Sequence, residues 1–114
     1  MQQPIDFVIR TATADTATKV RKYAERRLSF ALRRFEHAIR RVKVRLTDLN
    51  GPRRGEDARC SMAVELTDGR RIVVEATTAV PFASVTQAAG RLNRVLAREL
   101  QLLRSSRTDH SRVH

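Results

Sequence analysis

An α+β domain of order β-α-β-β-β-α, with a four-stranded sheet and two helices packed on one face, is the fold class that three features of the 114-residue sequence predict. Apolar residues alternate with polar ones in four short segments and recur at helical spacing in two longer ones, and turn-rich stretches separate these segments in a fixed order. Each strand then offers one apolar face and each helix one apolar stripe. The economical solution is a two-layer sandwich, with both helices on the same side of the sheet. Its other side is left to solvent or a ligand.

After Pro4, Ile5, Phe7 and Ile9 alternate with Asp6, Val8 and Arg10, which reads as a strand with an Ile-Phe-Ile inward face. From Asp15 or Thr16, either of which suits an N-cap, the period becomes helical. Val20, Tyr23, Ala24, Leu28, Ala31, Leu32 and Phe35 make one stripe, and Lys19, Lys22, Arg26 and Arg33 take the opposite side. No Gly or Pro interrupts this helix, which should run to about Ala38. Period two returns from Arg41 to Thr47 and breaks in the turn-rich run Asp48-Leu49-Asn50-Gly51-Pro52-Arg53-Arg54-Gly55. Ala58, Cys60, Met62, Val64 and Leu66 share one parity, and Asp68-Gly69 signals a hairpin into a strand from Arg71 to Ala76. Pro81 suits the first turn of a second helix. Its stripe is Phe82, Val85, Ala89, Leu92, Leu96 and Leu103, with Val95 and Leu100 at the margin.

Residues 1–104 are expected to form this one domain, and residues 105–114, with no periodicity and little to bury, a flexible C-terminal tail. Hydrophobic residues are 41% and charged residues 31%, a globular balance despite the charge. With no Trp, one Tyr and four Phe, the core must be aliphatic. The lone Cys60 excludes an internal disulfide and reads as a small hydrophobe in a strand. Nothing approaches the ~20 apolar residues of a membrane span, and the start MQQPIDF has neither the charge nor the apolar run of a signal peptide. A cytoplasmic protein is expected, with no membrane partner.

Lys and Arg number 23 against 12 Asp and Glu, a formal charge of +11. Their placement is more telling than their number. Arg91, Arg94 and Arg98 are spaced to line one helix face, while Arg41, Lys43 and Arg45 alternate with Val42, Val44 and Leu46. On the open side of the sheet the same parity puts Arg10, Arg59 and Arg71, interrupted by Asp6, Glu65 and Glu75. Between Phe82 and Arg104 the only acid is Glu99, so ion pairing within the second helix cannot neutralise the arginines. Such a surface fits a polyanion, and nucleic acid is the commonest in a cell.

Enzymatic chemistry finds no foothold. His37, His110 and His114 are scattered, one Cys with remote His offers no metal-ligand spacing, and Gly51, Gly55 and Gly69 belong to turns rather than to a nucleotide-binding loop. Asp6, Glu65 and Glu75 read as cross-strand partners of neighbouring Arg. No cofactor, metal or small-molecule substrate is expected. Reading of single-stranded bases needs exposed aromatics. Only Tyr23 and Phe30 stand outside a clear core assignment, so the binding should be dominated by phosphates and RNA shape.

Taken together, the first strand, a basic helix ending in Phe35-Glu36, the strand Val42-Lys43-Val44-Arg45-Leu46, two further strands and a closing Arg-rich helix resemble the ribosome hibernation promoting factor and ribosome-associated inhibitor A family. The resemblance spans Ile5 to about Arg104, and the stretch from Leu46 to Cys60 is similar to the family's strand-loop-strand. It implies a non-enzymatic protein that binds 16S rRNA of the small ribosomal subunit, in the channel used by mRNA and tRNA, and silences ribosomes in stress or stationary phase. It implies RNA-binding roles for Lys22, Arg26 and Arg27 on the first helix and Arg91, Arg94 and Arg98 on the last, with Lys43 and Arg45 on a strand. The chain departs from the family where Val80-Pro81-Phe82-Ala83-Ser84-Val85-Thr86 lacks the two acids that commonly open the last helix, and where Thr11 to Ala14 replaces a polar turn. A monomer or weak dimer is expected, without the second domain of long family members.

Two rival readings share these features. The α-β-β-β-α order is also that of a stand-alone double-stranded RNA-binding module, a similar two-layer sandwich, although Pro81 to Ala89 lacks the positive charge with which that module opens its last helix. The open sheet face would also suit a small regulatory protein that binds an acidic protein partner or forms a homodimer.

Overall fold

The fold was obtained as a computed structural model. It describes the backbone of residues 5–10, 14–48 and 58–112 and the side chains of residues 16–47 and 58–100. Strand β1 is Ile5–Arg10, helix α1 is Ala14–Leu32, and a 3-10 turn over Arg33–Ala38 leads into β2, Ile39–Asp48. Strands β3, Ala58–Leu66, and β4, Arg71–Thr78, precede helix α2, Pro81–Arg112. The sheet order is β1-β2-β3-β4, with β1 parallel to β2 and the other pairs antiparallel.

Strand parity works as the sequence predicts. In β2, Val42, Val44 and Leu46 are buried while Arg41, Lys43 and Arg45 are exposed, and in β3 Ala58, Cys60, Met62, Val64 and Leu66 are buried. Ile5, Phe7 and Ile9 stand in register beside Val42, Val44 and Leu46; their expected inward face lies outside the described side chains. Apart from Ala58, these buried strand residues meet Val20, Ala24, Leu28 and Leu32 of α1 and Val85, Ala88, Ala89, Leu92 and Leu96 of α2 in one core. Both helices therefore lie on one side of the sheet.

Helix α1 begins at Ala14, so Asp15 and Thr16, either expected as its N-cap, lie inside it, and four further features differ from the sequence reading. The first helix ends as a 3-10 turn from Arg33, because the buried residues step by four through Val20, Ala24, Leu28 and Leu32 and then by three to Phe35. A three-residue step on one face needs three residues per turn. Second, β2 begins two residues earlier, at Ile39, whose register with Leu66 shifts before Arg41 pairs with Glu65. Strand β4 likewise runs on to Thr78. Third, α2 continues to Arg112, so residues 105–112, expected as a flexible tail, have helical backbone. No Gly or Pro breaks that stretch, and extending a helix adds one hydrogen bond per residue fixed. Finally, Phe82 is 39% exposed rather than core, its ring lying at the rim against Tyr23. The loop from Leu49 to Gly55, the turn at Thr11 and the side chain of Leu103 lie outside the described residues.

Three local devices lock the layers. At the β3–β4 hairpin, Gly69 N–H donates to the Leu66 carbonyl at 3.0 Å and Leu66 N–H to the Arg70 carbonyl at 2.8 Å. Gly69 sits at φ 96°, the left-handed conformation that follows a type I turn in such hairpins and that glycine adopts without strain. The Asp68 carboxylate accepts from Arg70 N–H at 3.0 Å and Arg70 Nε at 2.9 Å, which holds its carboxyl below the usual range. Between the helices, Thr86 Oγ1 donates to the Phe82 carbonyl, so the Tyr23 hydroxyl donates to Thr86 Oγ1 at 2.6 Å. The Tyr23 ring also meets Phe82 edge-on at 5.3 Å. One end of α1 is tied separately, where Asn93 Nδ2 donates to the Ala31 carbonyl at 2.6 Å. That carbonyl lies in the last turn of α1, where the helix itself leaves acceptors unmatched. The two bonds span nearly equal sequence separations, 63 and 62 residues. The helices therefore run parallel.

Replacing Asn93 by Ala should cost about 1–2 kcal/mol in chemical denaturation, since it leaves a partly buried carbonyl unpaired. Burial pushes the Cys60 thiol up from 9.0 to about 12. The folded protein should resist a thiol reagent that labels Cys60 readily in denaturant. Because the folded pKa is the higher one, the contribution of Cys60 to stability is complete below about pH 9 and declines as pH rises toward about 12.

Candidate nucleic-acid interface

The sandwich sorts the cations onto two opposed surfaces. On the outer side of the helices lie Lys22 and Arg26, one turn apart on α1, and Arg91, Arg94 and Arg98 on α2, all exposed. Arg27 lies one turn from Tyr23 and one from Ala31, the two α1 residues that bond α2, so it occupies the seam between the helices. It is half-buried, and its Nε is a buried donor with no hydrogen-bond partner among the described residues. Lys43 and Arg45 project from the far face of the sheet, so the eight candidate residues do not form one surface.

The acid-poor stripe of α2 is more cationic than its sequence suggests. Glu99 accepts from Arg70 Nη1 at 3.0 Å, so the hairpin draws this one acid away from the stripe. Arg91 donates through Nη1 to the Glu75 backbone carbonyl on the outer edge of β4. It thus covers one unpaired acceptor of an edge strand, as edge protection requires, and keeps further donors for a ligand. Arg94 folds back over Gly90, where a Cβ would meet only its Nη1, at 3.8 Å. On α1, Glu25 lies 4.0 Å from the Arg21 guanidinium, an exposed pair one turn apart.

The sheet face has a different balance. Glu65 stands in register between Arg41 and Arg71, and Glu75 is two strands from Arg45, across Ser61. Opposite charges on neighbouring strands attract, and this ladder offsets part of the strand cations. Of the three carboxylates expected to serve as cross-strand partners of Arg, Glu65 is in register to do so, Glu75 is paired with Ser61, and the side chain of Asp6, in register with Lys43, lies outside the described residues. Among the described residues no group of three His, Cys, Asp or Glu could hold a metal ion, and no helix is long and apolar enough to cross a membrane.

Of the two aromatics outside the core assignment, Tyr23 is spent between the helices and Phe30 is 72% exposed on the outer face of α1. The Arg34 guanidinium lies 4.8 Å over the Phe35 ring, a contact that anchors the 3-10 turn. Sequence spacing missed the ties of Arg91 and Glu99, whose partners lie 16 and 29 residues away.

Comparison with known proteins places this arrangement. The crystal structure of the Thermus thermophilus Protein Y N-terminal domain matches with a TM-score of 0.65 at 23% identity, covering 85% of this chain and 98% of that one. At that identity the likeness concerns the fold. A sequence search of curated proteins finds no match. The family model for sigma 54 modulation protein / S30EA ribosomal protein matches residues 7–104, nearly the whole sandwich. The chain belongs to that family, the ribosome-associated hibernation factors that its motifs resemble.

Proposed function

We propose that the chain binds 16S rRNA of the small ribosomal subunit through the outer face of its two helices, and that it blocks translation by occupying the channel used by mRNA and tRNA. The observation that carries this reading is the stripe Arg91, Arg94 and Arg98, which has no acidic partner among the described residues once Glu99 is held by Arg70. Three cations at these spacings repel one another, by a few tenths of a kcal/mol per pair on a helix. An opposing polyanion relieves that repulsion. Lys22, Arg26 and Arg27 on the parallel helix α1 extend the cationic surface sideways.

Inhibition on this reading is steric and non-enzymatic, and it operates in stress or stationary phase. Lys43 and Arg45, on the other face, take no part in the same groove. The chain acts as a monomer or weak dimer in the cytoplasm. Its kinship with double-stranded RNA-binding modules is one of two-layer order, and the uncharged stretch from Pro81 to Ala89 speaks against a plain duplex as the target.

Co-sedimentation with purified small subunits tests the proposal. If six to ten phosphates are contacted, affinity should fall by roughly three to five decades between 50 and 200 mM salt. Changing Arg91, Arg94 and Arg98 together to Ala should leave the fold intact by circular dichroism. It should also weaken binding and lower the salt slope by about two to three. Unchanged binding by this variant would mean that the stripe is merely solvated, and equal affinity for a plain RNA duplex would favour the rival module.

A further inference from the structure

We propose that Phe30 is a stacking platform for an unpaired RNA base, set at the mouth of the seam between the helices. The proposal rests on the rRNA reading and adds to it a contact with a base rather than a phosphate. Phe30 is 72% exposed, the most exposed large hydrophobic among the described residues. On α1 it stands four residues after Arg26 and three before Arg33, both exposed, with exposed Ser29 beside it. Its near neighbours on that face are cationic or polar, so an apolar protein surface seated there would have to desolvate guanidinium groups without partners.

The seam supplies the rest of the site. Because Tyr23 meets Thr86 and Ala31 meets Asn93, the parallel helices put Phe30 level with Leu92 and Asn93, and Arg27 one turn earlier, level with Ala89 and Gly90. Gly90 lacks a side chain, and a Cβ there would touch only the Arg94 guanidinium, so the α2 wall is low at this point. A glycine inside a helix costs about 1 kcal/mol relative to alanine. Here it lets the Arg94 side chain fold over the seam, one turn from Phe30. The exposed aromatic ring and the neighbouring guanidinium groups of Arg26 and Arg33, with Arg94 folded over the seam, together match a nucleotide: a π face for the base and an adjoining phosphate for the cations. The charge complementarity selects a nucleic acid strand, and the ring selects an unstacked base within it.

The test compares Phe30→Ala, Phe30→Leu and Phe30→Trp, each checked for native circular dichroism, in small-subunit co-sedimentation. Loss of one stacked base should lower affinity roughly five- to a hundredfold in the Ala and Leu variants. The salt slope should stay that of the unmutated chain, and Trp should restore binding. The chain has no Trp of its own, so Phe30→Trp also supplies a single tryptophan, excited apart from Tyr23. It should be quenched by a single-stranded oligoadenylate and far less by an abasic oligomer of equal length and charge. Rescue by Leu would mean an apolar protein contact and overturn the proposal, as would equal quenching by the two oligomers. Wild-type affinity in Phe30→Ala, with weakened binding when the α2 arginines are removed, would overturn stacking while leaving the rRNA reading in place. Failure of the unmutated chain to sediment with subunits at low salt would instead refute that reading.

Discussion

The apolar layer between one face of the sheet and the two helices decides where every charge in the chain can go. Val42, Val44 and Leu46 are buried against Leu28, Leu32, Leu92 and Leu96, so the alternate residues of β2 must emerge on the far side. The same burial turns the remaining sides of α1 and α2 outward. A strand has period two and a helix period 3.6, so one buried layer creates two separate basic surfaces rather than a general positive shell. Core geometry thus precedes electrostatics in the argument for function.

What distinguishes the two surfaces is the fate of their acids. On the sheet, Glu65 stands in register between Arg41 and Arg71, and the charges are arranged to satisfy one another. On the helices, Glu99 is pulled toward Arg70 by a hairpin that Gly69 and Asp68 shape, and the arginine stripe keeps its charge. A tight turn more than twenty residues away therefore tunes the potential of α2. The Tyr23–Thr86 and Asn93–Ala31 bonds fix the helices in parallel register, and that register turns two charged helices into one surface with a seam.

The order of elements along the chain, the Asp68-Gly69 hairpin and the two helical stripes were legible in the sequence because each depends on local periodicity or local turn chemistry. The spacing Leu28, Leu32, Phe35 already contained the step from four to three, but a stripe read at a single period passes over it. Phe82 was assigned to the core because it fits the period of Val85 and Ala89, whereas contact with Tyr23 leaves it at the rim. The helical backbone of residues 105–112 was missed because the segment has nothing apolar to bury, and helix extension does not require burial. Of the candidate site, the arginine stripe was legible. The separation of Lys43 and Arg45 from it follows from strand parity. The ties of Glu99 and Arg91 depend on which strands and turns meet α2, which no local pattern encodes.

The central claim is that the helical surface, and not the sheet, faces the ribosome. Lys22 and Lys43 report on these two surfaces separately, since both are exposed in the free protein. Lysine acylation, read by mass spectrometry with and without bound small subunits, measures them in one experiment. The account predicts that Lys22 is protected in the complex while Lys43 stays as reactive as in the free chain. Protection of Lys43 with Lys22 left reactive would contradict it.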